Sequence, residues 1–596
     1  MTGSLRSEEI KPYRSVLVAQ FDEGQALSAE KVLRKLKRVL GVRVQDKGRK
    51  IIADGTTSDP DGAFVHYQDR HRPLWAPEGV LDRVNYLAVV IVKGDWVAIH
   101  TTEKSRRDSI AGALRKGKLG ALRMIPSARL KAAFIRGKAR TLWLRGTHRS
   151  TSSKPDSKVI GGTDLSAALD PIGDQTYAYS AARCEPDNEA IGPVMGVAVN
   201  KSSLWVGPSA DWEEFEATVI ATLDALEASS GLVYEPLPVL ADATNDLTGV
   251  ENAYDLSITP PEMLQIGPAL DPVEAEALAQ MELLAFGTQF ELSGASGTKL
   301  EAEVLRQGQL LGSVEVEFRD GADEIETFVS GSAQPGQESE FIDVLGALRN
   351  PENLIVHFDS GHTVQDRQAF SVRHRDLPFE GWAWVPFGNQ WEVAREKPPP
   401  GTAIGNGDRS LFSWVLDQWP NGAGFLGGQG WLACDDRPGE TADFLHVDVD
   451  EGAPILTLIH AKGAGSDSAG RELAVVPYET VSAQAVKNLR HLDTKLAAGT
   501  MVGAGIPKDL SLQAWHEGGP VVRKDFIARL DALGANFRRR VVILQPHVRR
   551  DLFEEVRSAG VTHAQFPRLR QLDTLLNAAA ADCRSVGAEL VVIGAG

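Results

Sequence analysis

A group of residues that could bind a cation and a phosphate lies between Asp443 and Lys487. Asp443 sits in an alternating stretch, and His460 and Lys462 directly follow the apolar run Ile455–Ile459. Carboxylate and imidazole groups bind divalent metals, and an ammonium group stabilises negative charge that develops during a reaction. A charged residue at the end of a buried strand is costly unless it is paired or functional. These residue types therefore indicate metal-assisted chemistry at neighbouring strand ends.

The elements that must position these residues can be inferred from the same stretch. Residues 442–449 alternate apolar and polar side chains, which predicts a strand, and residues 451–454 have the composition of a turn. The apolar run 455–459 predicts a second, buried strand. An irregular loop then leads to a predicted helix that carries Gln484 and Lys487. This order predicts a hairpin followed by a helix.

The arrangement resembles the core of the PD-(D/E)XK nuclease family, in which a metal-binding Asp and a (D/E)XK tripeptide occupy successive strands. Asp443 matches the metal-binding Asp, and His460-Ala461-Lys462 matches the tripeptide. Gln484 and Lys487 match the helix that follows, where many members carry a Gln or Lys facing the site. The resemblance covers residues 378–596, with a leading helix expected over 410–419.

The resemblance implies a set of catalytic residues and a divalent metal, Mg²⁺ or Mn²⁺. The metal ligands that it implies are Asp443 and His460. The full catalytic set consists of Asp443, His460, Lys462, Gln484 and Lys487. His460 departs from the family pattern, which usually has Asp or Glu there, and imidazole suits Mn²⁺ better than Mg²⁺.

The alternative to a ligand role for His460 is that its side chain points away from the site. Three acidic residues that precede Asp443, namely Asp435, Asp436 and Glu440, could then replace the missing carboxylate. Both assignments of the ligands stay open at this point.

The function that the resemblance implies is metal-dependent hydrolysis of phosphodiester bonds, with DNA favoured over RNA as substrate. Multidomain bacterial chains with this type of core often resemble restriction or anti-phage effectors, which implies antiviral defence and a protein partner in a defence complex. The alternative is a catalytically degenerate nuclease fold that acts as a nucleic-acid-binding or assembly scaffold. The replacement of the usual acid by His460 is the feature that favours this alternative.

The distribution of charge along the chain predicts a nucleic-acid or docking surface near the N-terminus. Residues 1–160 contain 32 basic and 16 acidic residues, a net charge of +16, whereas the whole chain has a net charge of −17. A basic block joined to an acidic one indicates either a polyanionic partner or internal docking. We therefore expect residues 1–160 to bind nucleic acid or to dock on the acidic segment 161–400.

Two short basic segments are candidates for contacts with phosphates. The segment 145–158 is almost free of apolar residues, so it is either a solvated linker or a phosphate-binding loop. The arginine cluster 538–540 either binds phosphate or forms a solvated face. The candidate nucleic-acid contacts are Arg145, His148, Arg149, Lys154, Lys158, Arg538, Arg539 and Arg540.

Composition and length predict a multidomain α/β protein in the cytoplasm. The chain has 596 residues, lacks a long apolar run that could span a membrane, and has three widely separated cysteines, which indicates a reducing compartment. We expect no membrane contact. Three domains are predicted: a basic α/β domain over 1–160, an acidic β-rich domain over 161–377, and an α/β/α restriction-endonuclease-like domain with a mixed sheet over 378–596.

Overall fold

The chain folds into a mixed α/β structure with two compact units. The structure is a computed structural model that describes residues 9–42, 49–58, 60–72, 76–151, 153–229, 235–261, 272–321, 324–371, 374–418, 430–448, 453–502 and 513–596. The N-terminal unit comprises residues 1–169 and 174–373. The C-terminal unit comprises residues 170–173 and 374–596.

The N-terminal unit is built around an antiparallel sheet of eleven strands. Its spatial order is β2-β3-β4-β5-β1-β11-β10-β9-β7-β8, and β6 also pairs with β1. The strands are β1 (Tyr13–Phe21), β2 (Lys50–Ser58), β3 (Asp61–His71), β4 (Asp82–Lys93), β5 (Trp96–Thr101), β6 (Leu122–Met124), β7 (Ala139–Gly146), β8 (Ser157–Gly161), β9 (Tyr177–Cys184), β10 (Met195–Ala198) and β11 (Ser203–Pro208).

Four helices cover the two faces of this sheet, two on each face. Helices α1 (Ala29–Val39) and α2 (Lys104–Arg115) pack on one face through residues such as Leu36 and Leu114. Helices α3 (Ser127–Phe134) and α4 (Trp212–Ala228) pack on the other face, where Leu130 and Phe215 are buried. In α1 and α4 the buried apolar residues recur on one side, as in an amphipathic helix.

The sheet continues through the point where the charge of the chain changes. The predicted boundary between residues 160 and 161 falls inside it, because β9, β10 and β11 follow that point and pair with β7 and β1. A change of net charge reports surface composition, whereas strand pairing depends on apolar faces and backbone hydrogen bonds. The electrostatic boundary therefore does not coincide with a boundary between sheets.

A second part of the N-terminal unit contains two smaller antiparallel sheets. One has the order β12-β20-β19-β18-β13 and the other the order β14-β15-β16-β17. Their strands are β12 (Ala243–Thr244), β13 (Ala253–Ile258), β14 (Thr288–Ser296), β15 (Lys299–Arg306), β16 (Gln309–Arg319), β17 (Glu326–Ala333), β18 (Leu354–Phe358), β19 (His362–Gln365) and β20 (Gln368–Ser371). Helices α5 (Pro272–Gly287) and α6 (Glu338–Leu348) accompany them, and α6 shares their apolar core.

Ion pairs join the basic and acidic parts of the N-terminal unit. Arg115 pairs with Glu324 at 2.9 Å, and Arg145 lies 3.6 Å from Asp366. Part of the positive charge of residues 1–160 is thus used for internal contacts with the acidic segment, which was one of the two expected roles of that block.

The C-terminal unit contains a mixed sheet of eight strands, with the order β21-β28-β27-β24-β23-β22-β25-β26. Strands β21, β28, β27 and β24 are parallel, and the remaining neighbours pair antiparallel. The strands are β21 (Trp382–Val385), β22 (Trp431–Cys434), β23 (Phe444–Asp448), β24 (Ile455–Ala461), β25 (Ala514–His516), β26 (Gly519–Val521), β27 (Arg538–Arg549) and β28 (Ala588–Ala595).

Helices lie on both faces of this mixed sheet. Helix α7 (Leu411–Gln418) packs on one face, where Trp414 is buried against the strands. On the other face, helices α8 to α12 contribute to a larger core. They are α8 (Val476–Asn488), α9 (Thr494–Val502), α10 (Arg523–Asp531), α11 (Arg550–Ala559) and α12 (Phe566–Ser585). Both predicted strands of the hairpin and the helix after it are confirmed, while residues 451–452 of the predicted turn lie outside the described residues.

Among the described residues, no helix is both long enough and apolar enough to span a membrane.

Candidate functional site

Three strand ends meet at one edge of the mixed sheet in the C-terminal unit. Strand β23 runs antiparallel to both β22 and β24, so its first residue lies beside the last residues of those two strands. The chain leaves β22 at Cys434, enters β23 at Phe444 and leaves β24 at Ala461. The polar residues that flank these ends are therefore brought together by strand pairing alone.

Three carboxylates form a cluster at this edge. Asp436 and Glu440 lie in the connection between β22 and β23, and Asp443 lies just before β23. One carboxylate oxygen from each residue lies within 4.8 Å of the other two. A divalent cation accepts carboxylate oxygens at about 2.0–2.6 Å, so side chains at this separation could share one cation after small adjustments.

Asp443 is the most buried member of the carboxylate cluster. Its side chain is held by Ala461, whose backbone N–H donates to Oδ2 at 2.8 Å, and the residue is only 5% exposed. Burial raises the pKa of Asp443 well above its ordinary value, and the nearby carboxylates of Glu440, Asp436 and Glu396 raise it further, against the effect of the Ala461 hydrogen bond. The negative charge of ionised Asp443 is thus poorly compensated by the surrounding protein groups.

Glu440 shows the same effect to a smaller degree. Burial raises its pKa, and the carboxylate of Asp436 adds to that increase, whereas Lys397 and Lys487 act in the opposite direction. Two of the three carboxylates therefore lie in surroundings that disfavour their negative charge. Such surroundings are typical of groups that bind a cation or transfer a proton.

Lysine side chains surround the carboxylate cluster. Lys397 Nζ pairs with Asp436 at 2.8 Å and lies 3.4 Å from Glu396. Lys462 Nζ pairs with the other oxygen of Glu396 at 2.7 Å, and the Lys462 side chain remains 45% exposed. Burial acts to lower the pKa of Lys397, but the hydrogen bond to Asp436 and the other carboxylates outweigh it, so this pKa is raised. Both lysines therefore lie within reach of an anion at the sheet edge.

Asp435, the neighbour of Asp436, has a different role. It is completely buried, and its carboxylate accepts hydrogen bonds from Arg437, Arg523 and the backbone N–H of Thr441. These partners compensate its charge inside the protein. Of the three acids considered as alternatives from the sequence, Asp436 and Glu440 lie in the cluster with Asp443. Asp435 instead stabilises the connection between β22 and β23 through its hydrogen bonds.

His460 is buried beneath this edge and does not belong to the carboxylate cluster. The residue is 0% exposed, and neither ring nitrogen has a hydrogen-bond partner within the described part of the chain. Burial lowers its pKa to about 3, with further effects from Lys487 and His491. The imidazole is therefore neutral. The group of mutually close ligand atoms found among the described residues contains the three carboxylates without His460.

Gln484 and Lys487 lie one turn apart on α8, so they share one side of that helix. Gln484 is half-buried and Lys487 is exposed. The charge of Lys487 lowers the pKa of both Glu440 and His460, which places its ammonium group near the cluster. Asp443 and Lys462 flank neighbouring strand ends, because β23 and β24 pair antiparallel.

The residues of the segment 145–158 occupy a different place, in the N-terminal unit. This segment connects two paired strands, β7 and β8, so it is a hairpin connection within the large sheet. The Arg145 side chain is buried beside Asp366, Lys154 bonds to Thr176, and Lys158 pairs with Asp174. These three cations have partners inside the protein, which accounts for the polar composition of the segment.

His148 and Arg149 of the same segment also contact protein groups. His148 Nδ1 lies 3.3 Å from the backbone oxygen of Thr176. The Arg149 guanidinium lies over the ring of Tyr254, although its side chain is 60% exposed. Arg149 is therefore the most accessible of the five candidate contacts in this segment.

The arginine cluster 538–540 lies at the opposite end of the mixed sheet from the carboxylates. Arg538 pairs in register with Ile455 at the start of β24, whereas Lys462 follows the end of that strand. Six residue steps at about 3.3 Å separate these ends by about 20 Å. Arg540 pairs with Glu589, and Arg539 lies over Phe537. These arginines do not contribute to the carboxylate edge.

Two residues at the site, Glu396 and Lys397, are absent from the sequence prediction. They follow the tryptophan-rich segment before α7 and lie far from Asp443 in the chain. Their location depends on a long segment that returns to the strand ends, where the backbone N–H of Ala464 donates to Val393. Local sequence patterns carry no signal for such a return.

Comparison with known proteins gives no relative for this chain. No protein-family model matches it. No curated protein and no solved structure matches it either. The arguments about function therefore depend on the geometry of the site.

Proposed function

We propose that the C-terminal unit is a metal-dependent phosphodiesterase acting on nucleic acid, with Asp436, Glu440 and Asp443 as the metal ligands. The observation that carries this proposal is the convergence of the three carboxylates within 4.8 Å of one another at an edge that also holds lysines. Oxygen ligands of this kind suit Mg²⁺ and Mn²⁺.

The electrostatics of the three carboxylates fit a bound cation. Burial and mutual repulsion raise the pKa of Asp443 and Glu440, so a divalent cation would relieve a cost that the protein alone leaves in place. The neighbouring Asp435 shows that the chain can neutralise a buried acid with arginines where its role is structural. A cation held by the cluster would supply Lewis-acid assistance at a phosphoryl oxygen.

The lysines provide the positive charge that phosphodiester hydrolysis requires. Lys462 is half exposed beside Glu396, and Lys397 bridges Glu396 and Asp436. A phosphate that approaches the carboxylates would meet these ammonium groups, which can stabilise negative charge as it develops on the phosphoryl oxygens. Glu396 holds both lysines in place, so we assign it a positioning role.

The order of elements around the site also supports the proposal. Helix α7, the meander of β22, β23 and β24, and helix α8 come in the order that the PD-(D/E)XK resemblance implies, and β27 pairs parallel to β24. Within that resemblance, Asp443 and Lys462 keep their expected roles. The burial of His460 favours the alternative ligand set of Asp443 with Glu440 and Asp436.

The test is to measure Mn²⁺ binding by calorimetry, and cleavage of DNA and RNA with Mg²⁺ or Mn²⁺, for the full chain and for Asp443→Asn. We expect the substitution to abolish metal-dependent cleavage, since loss of one ligand carboxylate typically lowers metal affinity by at least about 10–100-fold. Asp525→Asn, an exposed acid on α10, is the matched control and is expected to retain both properties.

Three results would contradict the proposal. Cleavage that survives in Asp443→Asn would place the reaction elsewhere in the chain. Tight Mn²⁺ binding by the full chain without cleavage of any nucleic acid would favour the degenerate scaffold, and wild-type protein that binds no metal would exclude the carboxylate cluster as a metal site.

A further inference from the structure

The exposed side of α1 carries four cations in one line. Lys31, Arg34, Lys35 and Arg38 follow the spacing i, i+3, i+4, i+7, which places them on one face of the helix, and all four are exposed. The opposite side of α1 is buried through Val32, Leu33 and Leu36. We call these four residues the α1 basic stripe. It spans about 10 Å along the helix.

Helix stability does not account for this arrangement. Like charges at i, i+4, such as Lys31 with Lys35 and Arg34 with Arg38, destabilise a helix by about 0.2–0.5 kcal/mol per pair. The helix dipole favours cations in the last turn, which explains Arg38, but it disfavours Lys31 in the first turn. Glu30 pairs with Arg34 at 2.8 Å, and this is the acidic partner found for the stripe within the described residues.

A second group of cations lies next to the stripe. Lys35 Nζ donates to the backbone oxygen of Leu119 at 3.3 Å, which ties α1 to the turn that follows α2. Lys116 and Lys118, both exposed, lie in that turn. The stripe is therefore the centre of a wider basic surface on one face of the large sheet.

A surface pocket borders the stripe at Lys35. It has a volume of about 640 Å³ and lies between residues 22–27 and residues 120–123, with Lys35 and Arg123 in its wall. Asp22 also lines it and pairs with Arg123 at 2.9 Å. Next to the pocket, Gly120 has a positive φ, and an added Cβ would lie 2.5 Å from Lys35 Nζ. The backbone at Gly120 thus allows the Lys35 ammonium to sit close to the wall.

We infer that the α1 basic stripe and the turn after α2 form a binding surface for the phosphate backbone of nucleic acid. A row of cations about 10 Å long can reach several phosphates, because a duplex carries one negative charge per about 1.7 Å of its axis. The chain as a whole carries a net charge of −17, so its overall charge repels a polyanion and attraction must be local. The surface belongs to the N-terminal unit, whereas the carboxylate edge belongs to the C-terminal unit. The assignment of nucleic acid, and not another polyanion, as the ligand rests on the proposed function.

The test measures binding of the full chain to a fluorescein-labelled DNA duplex in EDTA, where metal-dependent cleavage is absent. We expect the triple substitution Lys31→Gln, Arg34→Gln and Arg38→Gln to weaken binding by on the order of 10²-fold at about 0.1 M salt. The slope of log affinity against log salt should fall in magnitude by about 2.7, since three phosphate contacts are lost.

The matched control removes three exposed lysines from dispersed positions, Lys11→Gln, Lys138→Gln and Lys524→Gln. It changes the net charge equally and should leave the affinity within about threefold, because screening limits distant charges at this salt. Circular dichroism checks that both triple variants fold. An unfolded stripe variant is replaced by Lys31→Gln with Lys118→Gln, for which a slope change of about 1.8 is expected.

Three outcomes would overturn the inference. The first is unchanged affinity and slope in the folded stripe variant, and the second is an equal loss of DNA affinity in the control variant. The third comes from the same measurement with phosphatidylserine vesicles in place of DNA, if the stripe variant loses binding to the vesicles without losing binding to DNA. Because the measurement is made in EDTA, a protein that never cleaves nucleic acid can still satisfy this inference. Failure of the proposed function and failure of the inference are thus distinguishable.

Discussion

A half-buried carboxylate in the N-terminal unit and a buried one in the C-terminal unit show opposite electrostatics. Burial acts to raise the pKa of Glu352 in the N-terminal unit, but Lys201, Arg367 and Arg115 outweigh it and hold that pKa at about 2. Burial raises the pKa of Asp443 in the C-terminal unit, and other carboxylates raise it further. The chain supplies cations to one acid and additional acids to the other.

We interpret the difference as one between a structural role and the proposed binding role. Glu352 contacts Lys201 at 2.8 Å and Arg367 at 3.3 Å, so its charge is neutralised within the fold. The carboxylates around Asp443 leave negative charge that a cation from solution can compensate. Strained electrostatics of the second kind are typical of sites that bind ions or catalyse reactions.

The largest expected effect comes from breaking the neutralised cluster. Glu352→Gln would leave Lys201 without its paired acid. The neighbouring arginines would keep their pairs with Glu324. We expect a loss of about 3–5 kcal/mol in the free energy of unfolding, the usual cost of removing one partner from a buried ion pair. Urea denaturation at neutral pH measures it, and a loss below about 1 kcal/mol would show that Glu352 is not a structural acid.

Asp443→Asn should give the opposite response in the absence of metal. Removing the charge relieves its repulsion with Glu440 and Asp436, so the variant should unfold in EDTA at the same temperature as the wild type or a higher one. With Mn²⁺ at 100 times its dissociation constant, the wild type should gain about 2.7 kcal/mol, and the variant should gain much less.

The control for this experiment is Asp525→Asn, which should gain as much from Mn²⁺ as the wild type. Differential scanning fluorimetry over a range of Mn²⁺ concentrations provides the measurement. A destabilised Asp443→Asn protein in EDTA would show that Asp443 is neutralised inside the fold, as Glu352 is.

A smaller effect concerns His460, a buried group that is neither neutralised like Glu352 nor part of the carboxylate cluster. Burial lowers its pKa from 6.5 to about 3, so the unfolded chain binds a proton at mildly acid pH that the folded chain does not. Stability from this group is therefore present above pH about 6.5 and is lost as pH falls towards 3. The cost to the wild type is about 2 kcal/mol at pH about 5.

His460→Met should remove this cost, so the variant should be more stable than the wild type at pH about 5 and should show a flatter pH profile. Denaturation at several pH values provides the measurement, and His374→Met, at an exposed position, is the control. Mn²⁺ binding should persist in His460→Met. Its loss would identify His460 as a ligand and would exclude the cluster of three carboxylates as the complete site.

Much of the local structure around the site could be predicted from the sequence. The alternation before Asp448 and the apolar run before His460 predicted two strands, and both are present as β23 and β24. Strand pairing then brings Asp443 and Lys462 to the same edge. Such predictions succeed because alternation and apolar runs reflect which side chains a strand buries.

The position of residue 460 in the tripeptide was a weaker guide to its role. Sequence alignment with the tripeptide places His460 one residue before Ala461, whose N–H binds Asp443, but it does not indicate whether the imidazole reaches the carboxylates. Its complete burial removes it from solvent, where a cation would enter. The acids Asp436 and Glu440, which were alternatives in the sequence, occupy the space near Asp443.

The basic composition of the segments 145–158 and 538–540 could be inferred from the sequence. The side chains that pack against these segments could not. Arg145 and Lys158 belong to paired strands and face acidic residues that are distant in sequence. The charge of a segment is a property of its composition. Whether that charge is accessible depends on which segments pack against it.

The sequence by itself determined the strand and helix pattern around Asp443 and Lys462, and the charge difference between residues 1–160 and the acidic segment 161–400. These features depend on periodicity and composition, which are local. The tertiary structure alone decided that Glu396 and Lys397 join the carboxylate edge, that Asp435 is neutralised by Arg523, and that one sheet continues past residue 160. Each of these depends on contacts between distant segments, and their energies are fixed only when the chain is packed.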